Sequence, residues 1–364
     1  MNDKSLLKAN PQRVQSAQYA VVDILKFFFC IAVIFLHRAS TMNNQTVFSF
    51  VVDVFSNLAV PFFSCASVFF LYKKLFSVDS ETKKNKIFWK YIKRMTLLYV
   101  IWSVIYIIPT LYNDIVGASF SFKEIIAKYI EDIFVNGYTF IHLWYMQSLI
   151  IAVIIIFYLQ KIFSFKTVSI ICCLTFILFV FTENYHFFDQ TTLLYKMFSA
   201  INNYAPDSVY RTLTELPIYI FLGMISAKKP AMQTKKIILP FLAIQILIII
   251  FAIIKQNGDI WSILHRSLYP VYMFLLFQIS IGLSMKPKKI YSYLRKMSAL
   301  MYFVHWFVPI ILLDGLFAAA GFGYELAYNA GIRFGITLAY SVIFSIIVIK
   351  LSQKEKFKFL KYLY

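Results

Sequence analysis

The residue types best suited to chemistry lie where they are most costly, inside long apolar runs. The first run reads Tyr19-Ala-Val-Val-Asp23-Ile-Leu-Lys26, continues through apolar residues to Leu36, and ends in His37-Arg38. Ionisable groups in apolar spans mark functional positions by default. Ten residues separate Lys26 from His37. At about 100° per residue, an offset of eleven returns to nearly the same helix face, roughly 16 Å further along the axis. Asp23 lies within about 60° of Lys26 by the same arithmetic. An imidazole, with an ordinary pKa of about 6.5, suits general base catalysis near neutrality. A lysine is a compact charge for an anion, and a nearby carboxylate can orient it. The blander alternative has Lys26 snorkelling to the inner interface and pairing with Asp23 while His37 caps the helix end.

Further polar residues stand in later runs. Asp53, Asn57 and Pro61 fall at successive fourth positions, as helix packing around a proline kink requires. His142-Leu143-Trp144-Tyr145 opens another run. Interface anchoring accounts for Trp144 and Tyr145 but less well for His142. Arg211 and Glu215 stand near the start of the next-but-one span, and Ser298 to His305-Trp306 places an imidazole deep in a late run. His186 and His265 lie in or beside loops, with no special context.

These residues need a scaffold, and the composition says which kind. Of 364 residues, 60% are hydrophobic, 19% aromatic and only 15% charged, against about a quarter charged in soluble domains. A spanning helix needs about 20 mostly apolar residues. Suitable runs fall near 19–38, 47–72, 95–112, 142–163, 167–182, 214–227, 236–254, 264–284, 297–314 and 332–351. The expectation is an all-α, polytopic membrane helix bundle of about ten transmembrane helices in one domain, residues 19–351. A polar segment, 1–18, precedes it and a basic tail, 352–364, follows.

Basic residues crowd alternate connections. Lys73 to Arg94 follow the second run, Lys161 and Lys166 the fourth, Lys228 to Lys236 the sixth, Lys286 to Lys296 the eighth, and Lys354 to Lys361 the tenth. The positive-inside rule then makes both termini cytoplasmic, which agrees with an even number of spans. His37 and His142 fall toward the outer surface, and Lys26 nearer the cytoplasm. The outer connections 113–141 and 183–213 are the longest. The first suits an amphipathic surface helix, and the second carries a turn signal at Asn202-Asn203 and Pro206-Asp207. Gly331 and Gly335 form a single GxxxG pair, which reads as close helix packing.

Several classes are excluded. The net charge of +19 sits in short clusters between apolar runs, which fits membrane orientation and lipid headgroups rather than nucleic acid. Cys30, Cys65, Cys172 and Cys173 lie in apolar runs without disulfide or zinc spacing, so no metal is expected. Walker A, GxGxxG, GxSxG and HExxH signatures are absent. Residues 1–18 lack the apolar core of a signal peptide, so no cleavage is expected.

Four segments together resemble the integral membrane family called acyltransferase 3. Asp23, Lys26 and His37 resemble its first-helix motif. Val60-Pro61-Phe62-Phe63 leading to Ser67 resembles its Val-Pro-Phe-Phe-x-x-Ser-Gly stretch. His142-Leu143-Trp144-Tyr145 is similar to its His-Leu-Trp-Phe/Tyr, and Ser298 to His305 to its Ser-x-x-x-Tyr-x-x-His. All occur in family order across nearly the whole chain. Lys26 stands where many members have Arg, so a point charge replaces a bidentate fork, and Val68 stands where Gly is usual. The membrane domain of membrane-bound serine racemases is also similar, especially from Asn136-Gly137 to Tyr145. With no segment here for their soluble domain, racemase activity is not expected.

The resemblance implies transfer of an acyl group, usually acetyl, from cytoplasmic acyl-CoA to a hydroxyl of an envelope glycan, in the cell membrane. The co-substrate is acyl-CoA, with no resident cofactor. His37 would be the general base, Lys26 would attract a CoA phosphate, and Asp23 would orient it. Arg38 or Arg211 would stabilise developing negative charge, while His142, Trp144, Tyr145 and His305 would shape the acceptor site. The competing class is a transporter or exporter of a polysaccharide or a small amino acid, using the same buried charges as a permeation path. A structural subunit is the third.

Overall fold

The computed structural model describes residues 19–39, 45–116, 121–137, 139–255, 259–307 and 329–364. Among them all regular structure is helical. That follows from the composition, because an apolar segment in a bilayer must pair its own backbone groups, and a helix does so internally. The expected segment 1–18 and the far end of the ninth run lie outside the described residues.

In chain order the helices are α1 (Ala20–Arg38), α2 (Gln45–Val54), α3 (Ala59–Leu75), α4 (Glu81–Val116), α5 (Phe122–Glu131), α6 (Trp144–Ile162), α7 (Phe165–Glu183) and α8 (Leu193–Tyr204). There follow α9 (Asp207–Leu213), α10 (Leu216–Lys228), α11 (Thr234–Ile254), α12 (Ile260–Ser267), α13 (Tyr269–Gly282), α14 (Lys289–Val304) and α15 (Ala330–Leu351). Seven stretches among the described residues are long and apolar enough to cross a membrane: Ala20–Arg38, Phe50–Leu75, Glu81–Ile108, Phe122–Ile162, Phe165–Glu183, Thr234–Ile254 and Ala330–Leu351. Together with the composition they mark the chain as a membrane protein. The runs expected near 214–227 and 264–284, and the described part of the one expected near 297–314, fall in shorter helices. These are α10, the pair α12 and α13 divided at Leu268 just before Pro270, and α14.

The second run is not one helix. It breaks at Phe55, where φ is −123° and ψ −51°, and a short turn at Ser56–Leu58 leads into α3. Pro61 explains the place: it cannot donate a backbone hydrogen bond and its ring would clash with the carbonyl four residues earlier, so it sits in the first turn of a new helix. Asp53 and Asn57 therefore do not continue one helical face into Pro61.

Two helix pairs organise the core: α10 packs against α3, and α14 against α1. The first contact is close because Gly223 faces the α3 backbone; a Cβ there would lie 2.5 Å from the carbonyl oxygen of Cys65. The small residue that permits this comes from α10, and Val68 is itself fully buried. Phe29, Phe62, Phe69 and Phe277 interlock between α1, α3 and α13. By contrast α11 buries only Ile237 and Ile248, as a helix facing lipid would.

The segment expected as a surface helix folds as α5. Ser121 and Glu124 form a reciprocal capping box at its start, and Phe122, Ile126 and Ile130 are exposed. The turn expected at 202–207 separates α8 from α9. Among the described residues the GxxxG pair packs against no other helix: a Cβ on Gly335 meets nothing within 4 Å, and one on Gly331 meets only the Asn329 side chain that caps the same helix. Cys30, Cys65 and Cys172 are buried and Cys173 is exposed, all as free thiols.

Candidate active site

Five helices and the segment after α15 line a cavity of about 1480 Å³. Helical periodicity explains its lining. From α4 come Ile87, Lys90, Tyr91, Arg94, Met95 and Leu98, spaced three and four apart as one face of a helix requires. From α14 come Lys289, Ser292, Arg295, Lys296, Ala299 and Tyr302, on the same spacing. Lys26 enters from α1, Phe63, Ser67 and Phe70 from α3, and Tyr145, Met146 and Leu149 from α6. All four sequence motifs thus reach one chamber, through Lys26, through Phe63 and Ser67, through Tyr145, and through Ser298 and Tyr302. Ser67 is held by a 2.7 Å hydrogen bond to the Tyr91 hydroxyl.

The chamber is strongly cationic. Lys26, Lys74, Lys90, Arg94, Lys288, Lys289, Arg295, Lys296 and Lys361 line it, with no Asp or Glu among the described residues. A cleft lined by one sign of charge concentrates ions of the other. Asp23 lies in a side pocket of about 220 Å³ with Tyr19, Phe70, Lys74, Arg94 and Arg295. Asp23 is 1% exposed, and its carboxylate faces the Arg295 Nε at 3.3 Å. Lys26 Nζ lies 5.4 Å from the centre of the Phe70 ring. Asp23 therefore has an ionic partner on α14, beyond the Lys26 pairing that the sequence offers.

Tyr302 forms the inner wall and joins the chamber to a cluster of imidazoles. Its ring centre is 5.7 Å from that of His142, and its hydroxyl donates to the His142 carbonyl. His305 stacks on His37, with centres 5.4 Å apart and planes 25° from parallel. It also meets His142, edge-on at 4.9 Å. Backbone carbonyls set the tautomers, since a carbonyl can only accept. His142 donates from Nε2 to the Phe303 carbonyl at 3.2 Å. His305 donates from Nδ1 to the Tyr302 carbonyl at 2.7 Å. The remaining nitrogens, His142 Nδ1 and His305 Nε2, are buried lone pairs without a hydrogen-bond partner among the described residues. Two buried imidazoles thus present basic nitrogens in a protected space.

The other expected site residues divide. Arg38 is 2% exposed, and its guanidinium lies 5.4 Å from the centre of the Trp306 ring. Trp306 in turn packs on His37 at 5.4 Å, so Arg38 belongs to the imidazole cluster. Arg211 is held elsewhere, by Glu215 at 2.8 Å and Glu183 at 3.5 Å. Trp144 lies under that guanidinium at 5.7 Å. The structure thus places Lys26 and Tyr145 on the chamber wall, gathers His37, Arg38, His142 and His305 in the cluster behind Tyr302, and leaves Arg211 with Trp144 in an ion-paired group. His265 is fully buried, beside the Tyr269 hydroxyl at 3.4 Å, not in a loop. Among the described residues no group of three or more His, Cys, Asp or Glu could hold a metal ion.

This convergence of motifs agrees with the comparison to known families. Residues 19–350 match the family described as an acyltransferase domain. The chain belongs to that acyltransferase family. Among curated proteins it is similar to an amino-acid racemase of Enterococcus faecalis, 23% identical over 260 residues, covering 70% of this chain and 34% of the relative. A second amino-acid racemase of the same organism is 27% identical over 218 residues, covering 58% and 30%. A serine/alanine racemase of Enterococcus gallinarum is 22% identical over 254 residues, covering 68% and 34%. The chain spans about a third of the length of these relatives. No solved structure matches it.

Arg295, Trp306 and the lysines of α4 were not expected as site residues. Their signals are present in the sequence as helical stripes, Lys90-Tyr91-Arg94 and Ser292-Arg295-Tyr302. Read only as loop charges that set orientation, they lose their faces. Both helices begin among those charges, at Glu81 and Lys289.

Proposed function

We propose that this membrane acyltransferase moves an acyl group, in the simplest case acetyl, from cytoplasmic acyl-CoA to a hydroxyl of an envelope glycan. The observation that carries this is the meeting of all four motif segments at one cationic chamber whose inner wall abuts three packed imidazoles. A coenzyme A donor carries a diphosphate and a 3′-phosphate, and phosphates are bound by convergent Lys and Arg. The chamber mouth bears Lys74, Lys90, Lys288 and Lys289. These belong to the clusters that the positive-inside rule assigns to the cytoplasm, where both termini would also lie. The membrane in question is then the cell membrane.

In this reading phosphates bind Lys26, Arg94, Arg295 and their neighbours, and the pantetheine arm carries the thioester past Tyr302. The acceptor hydroxyl gives its proton to an imidazole of the cluster, with His37 as the base. Its oxygen bonds to the acyl carbon, the carbon–sulfur bond breaks, and the thiolate leaves with a proton returned from the imidazolium. Arg38 lies on the same cluster and would offset charge developing on the acyl oxygen.

The test is incubation of purified protein with labelled acetyl-CoA and envelope glycan, followed by mass analysis of the glycan. Label on the glycan supports the reading. Glycan or amino-acid movement across vesicles without acyl-CoA, and no label on glycan, would replace it with transport.

A further inference from the structure

We infer that residues 355–364 form a fixed wall of the donor chamber and that Lys361 binds a donor phosphate. This rests on the donor reading above and adds a binding element that the four motifs do not contain. After α15 the chain turns at residues 352–354 and runs back as a short helical segment, Glu355–Leu363. A lysine-rich stretch of this kind is ordinarily a solvated tail. Here its far end is tied down by side chains from three other elements. The Trp102 indole donates to the Leu363 carbonyl at 3.1 Å. Arg94 donates to the Tyr364 backbone oxygen at 3.4 Å. The hydroxyls of Ser352 and Tyr364 share a 2.8 Å hydrogen bond, and Lys296 Nζ lies 5.7 Å from the centre of the Tyr364 ring.

These contacts have a physical cause. Trp102 is 2% exposed, and a buried indole N–H must find an acceptor. The segment supplies it as a main-chain carbonyl, so the contact does not depend on the lysines. Leu360, Leu363 and Tyr364 pack on the main core. The same packing turns Lys361 and Tyr364 into the chamber wall. Arg94 and Lys296 belong to both the chamber and the tether. Lys361 therefore faces the same anion as the cations of α1, α4 and α14. A phosphate is the matching chemistry, from coenzyme A or from an anionic lipid headgroup.

The experiment measures coenzyme A binding to the whole protein in lipid-free detergent, and the acetyl-CoA KM and kcat, for the parent, K361Q, K361E and W102F. Loss of one charge-assisted phosphate contact weakens binding by about tenfold. K361E should bind coenzyme A about tenfold or more weakly, and K361Q severalfold, with the acceptor KM unchanged. W102F keeps a ring to stack on Phe303, which now lies at 5.2 Å with planes 4° apart, and loses only the N–H. It should raise the acetyl-CoA KM with kcat retained. Coenzyme A should also slow tryptic release of the segment, followed by mass spectrometry, and W102F should hasten it. If the parent binds coenzyme A while K361E binds equally well and the ligand leaves tryptic release unchanged, the wall is not there. A K361E defect confined to phosphatidylglycerol-containing micelles would reassign Lys361 to lipid and overturn the donor role. A parent that binds no coenzyme A overturns the donor reading itself, and this inference with it.

Discussion

His305 stacks face to face on His37, 5.4 Å between ring centres, while His37 and His305 come from opposite ends of the sequence. A stacked pair with His142 edge-on behind it acts as one unit, because each ring fixes the position of the next. Groups that act as a unit are non-additive when removed. H37A should therefore abolish acyl transfer while leaving coenzyme A binding near the parent value. H37A/H305A should cost no more activity than the worse single variant. Single-turnover rates and binding isotherms on the same preparations check both statements, and losses that multiply in the double variant would separate the two rings.

The chamber's cations predict a salt dependence. Clustered charges that concentrate an anion lose effect as the Debye length shrinks from about 10 Å at 0.1 M salt to about 3 Å at 1 M. The acetyl-CoA KM should rise steeply with ionic strength while the KM for a neutral acceptor stays flat. K26A should raise the donor KM about tenfold, in line with one lost charge-assisted contact, and K26R should restore it. Equal salt slopes for donor and acceptor would remove the chamber from donor capture.

How much of this was legible beforehand depended on which helix face a residue was given. The stripe Asp23, Lys26, His37 could be drawn from spacing alone, because α1 runs unbroken from Ala20 to Arg38. The α3 motif is legible as a string, and Pro61 predicts a kink, but the full break at Phe55–Leu58 is not legible, since a span is sought as one apolar run. The chamber's cations are visible in the sequence, but as orientation signals rather than as a site. Lys90, Arg94 and Arg295 read as loop charges, whereas α4 and α14 extend through them and give them a common face. Arg211 shared a membrane side with His142 in the sequence reading, yet Glu183 and Glu215 hold it away. Side-of-membrane arguments give depth, and only packing gives neighbours.

The pairing of Asp23 with Arg295 makes a reciprocal prediction. Asp23 is buried, and Arg295 is nearly half exposed, with 45% of its side chain accessible. Removing the arginine leaves the buried carboxylate with only the more distant charge of Lys26, at a cost of up to about 1–3 kcal/mol. Removing the carboxylate leaves an arginine that water can still reach. R295A should lower the unfolding midpoint more than D23N does, and D23N/R295A should recover much of the loss. Thermal unfolding in detergent measures this, and a double variant less stable than R295A would mean that Asp23 has a further partner. Donor binding should fall in every variant that lacks Arg295, whether or not stability recovers.

Two glycines in helices offer opposite outcomes from the same substitution. At Gly223 an added methyl would lie 2.5 Å from the Cys65 carbonyl oxygen and 3.0 Å from its Cα, both backbone atoms of α3 that no rotamer change can move. The helices must separate, and overpacking of this kind costs about 1–3 kcal/mol. The shift also disturbs α3, which presents Phe63 and Ser67 to the chamber, so G223A should lose donor affinity along with stability. At Gly335 the added methyl meets nothing within 4 Å among the described residues. There alanine should be neutral or stabilising by up to about 1 kcal/mol, from its better helix propensity. Unfolding midpoints of the two variants in one detergent decide between them. A destabilised G335A would restore Gly331 and Gly335 as a packing face, one that closes against a surface outside the described residues.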